Sequence, residues 1–321
     1  MSLWKLRLYM LGTLTAIIGL STLFFTVILS LLGVFNILTL GLIVVLLNVV
    51  QWLIAPYIIN AIYRAKEVTM SEEPRLFLMV ERLSKKSGIK LPKLMIADIP
   101  IPNAFAYSSP IAGSRVAVTR GLLKSLDEEE VEAVVGHELG HLKHRDVQVM
   151  MFVSILPAVF YFIGYSMLLS SMFGRRDDRG SGGAAIMGIA SLLLYFILTM
   201  FTLYLSRLRE YYADRHSASI VEEGPRKLSE GLAKIVNSTG RTRRSHPETR
   251  SLNSFKALFI SDPDRAETDA VALAQSAGIV GDEKLVQEVL KSHVTAFDRF
   301  VELFSTHPNI VKRLKALQKL A

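Results

Sequence analysis

The chain has no cysteine. A disulfide framework, a thiolate nucleophile and every cysteine-ligated metal site are therefore excluded. Charge is missing just as completely from four long stretches: residues 8–32, 37–62, 147–173 and 184–206 contain no Asp, Glu, Lys or Arg. Each exceeds the roughly 20 residues that a helix needs to cross a bilayer, so four transmembrane helices are expected. The first stretch is longer than the apolar core of a cleaved signal peptide and a second follows at once, which makes it a retained anchor. Spans without ionisable groups also argue against a transporter, whose pathway needs them inside the membrane. No internal repeat is evident.

The charge that is present sets the orientation. The net charge is +8, which fits a face close to anionic lipid. Lys5 and Arg7 precede the first span, residues 33–36 are uncharged, and Arg64 and Lys66 follow the second. The positive-inside rule then keeps the N-terminus and residues 63–146 in the cytoplasm. The third and fourth stretches form a hairpin around Arg175, Arg176, Asp177, Asp178 and Arg179, and Arg207 and Arg209 favour a cytoplasmic return. A re-entrant hairpin broken at Pro157 or Gly164 is the second choice. The expected organisation is two transmembrane helices in 8–62, a first part of a cytoplasmic domain in 63–146, the transmembrane or re-entrant hairpin in 147–206, and the second part of the domain in 207–321.

Within the cytoplasmic segments, 72–87 has helical periodicity, and 93–97, 103–107 and 115–119 look like short strands bounded by Pro and Gly. Most of the rest is helical in pattern, giving a mainly α protein with a small sheet. Residues 237–265 form a loop rich in Ser, Thr, Arg and Pro. Arg241, Arg243, Arg244 and Arg250 there would face headgroups or solvent, and no nucleic-acid partner is expected. A further helix is signalled by Ser125 and Glu128 as a capping box, by acids from Asp127 to Glu130, and by an apolar face of Val131, Val134, Val135, Leu139 and Leu142.

That helix carries His137-Glu138-Leu139-Gly140-His141. Residues four apart share a helix face, so both imidazoles can hold one Zn²⁺ while Glu138 handles a water proton. A chain of this composition is expected to contain about 0.008 such matches by chance. A catalytic zinc needs a third protein ligand and one position for water. The metzincin pattern is excluded, because His144 and Val147 stand where it demands Gly and His. A glutamate from a second helix remains, and Arg209-Glu210-Tyr211-Tyr212-Ala213-Asp214 follows the fourth apolar stretch directly. Glu210 is the expected third ligand. Asp214 would fix a histidine tautomer from behind, and Ala213 would let the helices approach. His141 precedes one span by six residues and Glu210 follows the next by four, so a closed hairpin brings them together.

These motifs, with a C-terminal His307-Pro308 and Arg313, resemble those of HtpX-type membrane zinc metallopeptidases, gluzincins related to the CAAX prenyl proteases. The likeness runs over nearly the whole chain. It implies a cytoplasmic thermolysin-like zincin domain of α+β type, one zinc per chain, and proteolysis of damaged or misassembled membrane proteins at the bilayer. Through it, Pro102-Asn103-Ala104-Phe105-Ala106 is expected to form an edge strand on which substrate adds, with Asn103, Ala104 and Phe105 binding the substrate backbone. Through it also, His307 and Arg313 are expected to act with Glu138 in catalysis as oxyanion donors. His144, His216 and His293 receive no role. The competing readings are a CAAX-type processing protease, and a membrane scaffold or transporter with a structural zinc.

Overall fold

The structure, a computed structural model, describes residues 37–173, 181–245, 260, 282–292 and 294–321. The expected span at 8–32, the charged loop at 175–179, Arg250 and His293 lie outside them. The described residues fall into two compact units. One comprises 53–147 and 207–321, the other 37–52 and 148–206.

The first unit is built on a four-stranded mixed sheet of β1 (Ala65–Glu67), β2 (Lys93–Ala97), β3 (Ala104–Ser109) and β4 (Gly113–Thr119), in the order β1-β2-β4-β3. β2 runs parallel to β4, and the outer strands β1 and β3 pair antiparallel. Side chains alternate across a strand. Leu94, Ile96, Val116 and Val118 therefore enter one apolar cluster, while Met95, Ala97 and Ala117 enter another with Tyr63, Phe105 and Tyr107. Burial on both faces explains why Leu94 to Ala97 of β2 and Val116 to Val118 of β4 are unbroken apolar runs. β1 is too short to show a period in the sequence.

Helices cover the first face. α1 (Ile37–Ile62) leads into β1, and α2 (Pro74–Ser87) ends at Gly88, whose φ of 67° is the left-handed cap that glycine adopts without strain. Gly121 lies at the start of α3 (Arg120–Ser125), so close to the preceding loop that a Cβ there would stand 2.1 Å from the Pro100 carbonyl oxygen. α4 (Glu128–Lys143) follows. Its N-cap is Asp127, whose N–H donates to Glu130 Oε2 at 2.9 Å, rather than the expected pair of Ser125 and Glu128. Ser125 is already the last residue of α3, so the capping box is displaced by two residues. Val131, Val134, Val135 and Leu139 are buried as their spacing predicts.

α5 (Asp146–Phe173) and α6 (Ser181–Ile220) are the two longest helices among the described residues. Among the described residues two segments, Asp146–Met172 and Gly182–Ile220, are long and apolar enough to cross a membrane. The second unit is packed through Val153, Val159, Phe160, Ile163, Leu194 and Leu198 of these helices. Gly164 lies there against Leu192, a close approach, and α5 continues through both Pro157 and Gly164. In the first unit, α7 (Gly224–Ser245), α8 (Asp282–Lys291), α9 (Ala296–Leu303) and α10 (Ile310–Leu317) complete the helical layer. α7 runs through Arg241 to Ser245, so the first part of the loop expected from residue 237 is helical, although no apolar residue after Val236 signals it.

Candidate metal centre

α4 presents His137 and His141 on one face, and the C-terminal part of α6 presents Glu210 opposite them. The helices meet where neither carries a bulky side chain. A Cβ on Gly140 would lie 3.1 Å from Ala213 Cα, and Ser217 Oγ donates to the Ala133 carbonyl at 2.6 Å. This approach brings His137 Nε2 to 3.2 Å from His141 Nε2 and 3.6 Å from Glu210 Oε2, with His141 Nε2 3.4 Å from Glu210 Oε1. His137 is 1% exposed and Glu210 6%.

The donor set fits a zinc ion. Ligands bound at about 2.0–2.1 Å stand about 3.3 Å apart at the corners of a tetrahedron, and the three separations bracket that value. His137 Nδ1 lies 2.9 Å from Asp214 Oδ1 and His141 Nδ1 lies 2.6 Å from Asp146 Oδ2. Carboxylates on both outer nitrogens favour the tautomers whose Nε2 lone pairs face inward. Two lone pairs facing each other at 3.2 Å repel unless a cation lies between them. Glu210 Oε2, buried, accepts no hydrogen bond among the described residues, as a metal-directed oxygen would.

Glu138 is 3% exposed, and its carboxylate accepts from the Ala106 backbone N–H of β3. Burial pushes this carboxyl up to about 8. Burial likewise lowers the His137 ring below its ordinary value, favouring the neutral imidazole. Both shifts accompany a convergence of buried acids and imidazoles on one point, an arrangement that catalytic sites share.

The C-terminal residues reach the same place. His307 Nε2 is 3.8 Å from Glu210 Oε1, and its Nδ1 lies 2.9 Å from Thr306 Oγ1. Arg207 holds the preceding turn, its Nη1 donating at 2.7 Å to the carbonyls of both Glu302 and Ser305. Arg313 is 1% exposed and grips Asp214 with two donors, Nε at 3.0 Å and Nη2 at 2.6 Å. Its Nη1 donates to the Ile260 carbonyl at 2.7 Å and stands 3.2 Å from Glu210 Oε2. The guanidinium is thus spent on the carboxylates behind and beside the histidines, a different setting from that expected of an oxyanion donor.

Asn103 also differs from expectation. It is fully buried, and its Oδ1 accepts from the Ile260 N–H at 3.0 Å. Ala104 and Phe105 lie on β3, an edge of the sheet, with their side chains buried. Thr119 N–H donates to the Asn103 carbonyl, whereas the Ala106 N–H turns away from β4 to Glu138. By the alternation of antiparallel pairing, Phe105 spends its backbone groups on β4 and Ala104 directs its own outward.

Asp146, and Arg209 as its partner, are not assigned to the site by the sequence. Asp146 backs His141 and is itself paired with Arg209. Its position five residues beyond the second histidine was a signal, but the turn between the helices decides where it points. That turn passes through Arg145, in the left-handed region at φ 55°. His144 is not drawn in: it packs edge-on against Tyr212 at 4.2 Å, and burial pushes it down to about 4. A second acidic cluster, Asp127, Glu130 and Asp282, surrounds Lys234 Nζ at 2.9, 2.9 and 3.0 Å, so an ammonium already fills the place of a cation.

Comparison with known proteins gives this geometry its family. Residues 70–321 match the model of peptidase family M48. A protein described as a Protease HtpX homolog from Thermoplasma acidophilum is 38% identical over 281 residues, covering 86% of this chain and 83% of that protein. Another from Aeropyrum pernix is 41% identical over 285 residues, covering 88% and 86%. The crystal structure of S. mikatae Ste24p superposes with a TM-score of 0.55 at 17% identity. It covers 98% of this chain, which spans 66% of that longer one, and it shows a shared fold. The chain therefore belongs to peptidase family M48, as a metalloprotease of the HtpX type.

Proposed function

We propose that this metalloprotease is a zinc endopeptidase that cleaves misfolded or damaged membrane proteins, with its catalytic domain on the cytoplasmic side of a multi-pass anchor of four transmembrane helices. His137, His141 and Glu210 would hold one zinc. The observation that carries this reading is the set of three donors at tetrahedral spacing, with a carboxylate behind each imidazole. Bound there, zinc polarises a scissile carbonyl and makes its water acidic.

The chain's own residues supply the rest. Glu138 takes the proton of the attacking water and returns it to the departing amine, a role suited to a carboxyl whose pKa burial has raised toward neutrality. His307 donates to the oxyanion that develops on the substrate carbonyl. Arg313 acts one step back, holding Asp214 against His137 so that the ligand keeps its tautomer. Substrate adds along the free edge of β3, bonded through the outward backbone groups of Ala104, and Asn103 recognises a backbone N–H with its Oδ1.

The direct test is purified protein in detergent, loaded with zinc and given an unfolded membrane protein. Glu138→Gln preserves volume and loses proton transfer, so hydrolysis is expected to fall by about 10²–10⁴ while bound zinc stays near one per chain. Retained turnover, or metal loss as complete as in His141→Ala, would remove Glu138 from this role.

A further inference from the structure

Ile260 is held by its backbone from both sides. Its N–H donates to Asn103 Oδ1 at 3.0 Å, and its carbonyl accepts from Arg313 Nη1 at 2.7 Å. Its side chain is 3% exposed, within the apolar cluster that also contains Val134, Val311 and Leu314. The same Nη1 stands 3.2 Å from Glu210 Oε2, so a single guanidinium nitrogen separates the Ile260 carbonyl from a carboxylate of the candidate metal centre. Asn103 immediately precedes β3, whose Ala106 N–H holds Glu138. One peptide residue is therefore gripped by two side chains between the edge strand and the donors around the metal. Recognition of both backbone groups together with an apolar pocket is how a protease seats a substrate residue without reading the whole sequence.

We propose that Ile260 occupies the seat of a substrate residue beside the scissile bond, so that the chain's own backbone competes with substrate and the pocket takes a branched aliphatic side chain. The proposal rests on the reading of the site given above. Substrate must displace Ile260 before it can be gripped by Asn103 and Arg313. Apparent affinity is then lowered by the fraction of molecules in which the seat is already filled.

The test reads binding rather than hydrolysis. The full chain is prepared with zinc in detergent in a Glu138→Gln background, and a fluorescent peptide with the sequence of residues 256–264 is titrated by anisotropy. Ile260→Pro removes the N–H that Asn103 accepts, and Ile260→Gly keeps the backbone but loses the side chain. Both are expected to bind the peptide more tightly, about tenfold if nine seats in ten are self-occupied. Replacing the central isoleucine of the peptide by aspartate should abolish the gain. Unchanged or weaker binding in both variants, or a fall in melting temperature with no gain in binding, would make Ile260 a structural strut and overturn the proposal. Failure of the enzymatic reading shows separately, as a zinc-loaded protein with intact Glu138 and either residue at 260 that leaves an unfolded polypeptide uncut.

Discussion

Four buried carboxylates crowd the two histidines, and their neighbours assign them different work. Glu210 turns a different oxygen toward each Nε2 atom, Asp214 and Asp146 stand behind the rings, and Glu138 leans on β3. Asp146→Asn and Asp214→Asn are each expected to weaken zinc binding by about 10–100-fold, while His144→Ala leaves it unchanged. Zinc titration with a competing chelator separates the three, and equal depletion in the His144 variant would shift the site along α4. His307 and Arg313 should part company in kinetics. His307→Ala is expected to lower kcat by about 10²–10³ with zinc retained, since its bond strengthens only as the oxyanion forms. Arg313→Ala strips a buried Asp214 of its two guanidinium donors and is expected to cost about 3–5 kcal/mol of stability and to loosen zinc as well. Steady-state kinetics with metal analysis and thermal unfolding on the same preparations decides it; normal zinc and stability in Arg313→Ala would return that residue to direct catalysis.

At the scale of elements, the site depends on close approach more than on any single helix. α4 and α6 touch backbone to backbone because Gly140 faces Ala213. The loop before β3 is fixed in the same way at Gly121, whose N–H also donates to the Ile99 carbonyl at 3.0 Å. A methyl group at Gly121 meets main chain that cannot rotate away, so Gly121→Ala must shift the loop that delivers Asn103. The expected cost is about 1–3 kcal/mol, read as a lower melting temperature, accompanied by a raised KM for peptide. Unchanged KM and melting temperature would show that this loop does not position the substrate edge.

For the whole molecule, the charges at the span ends and the shared location of His141 and Glu210 set the expected topology. Reporter fusions after Lys66, Asp146 and Ala321 should all report cytoplasm, and one near Gly33 the outside. Labelling of residues 175–181 from outside the cell separates a crossing hairpin from a re-entrant one. A fusion at Ala321 reporting the outside would overturn the arrangement. The observed fold is mainly helical with a small mixed sheet, like that of Ste24p, and two of its helices are clear candidate spans.

By itself the sequence determined the elements whose signal is periodic and local: α4 with both histidines on one face, the apolar stretches of α5 and α6, and β2 and β4 as short strands. Side-chain periodicity is a property of the backbone geometry and needs no partner to be legible. It also marked Glu210 and Asp214, because two carboxylates one turn apart follow a span whose length returns the chain. Only the tertiary structure decided that Asp146 backs His141, that Arg313 clasps Asp214 rather than facing outward, that the helix cap lies at Asp127, and that Ile260 fills the grip of Asn103. Each of these depends on the direction in which one side chain leaves a turn or on a contact between segments up to 157 residues apart. Such contacts carry no period. They are set by how closely the packed backbones can approach, which is decided when the core closes.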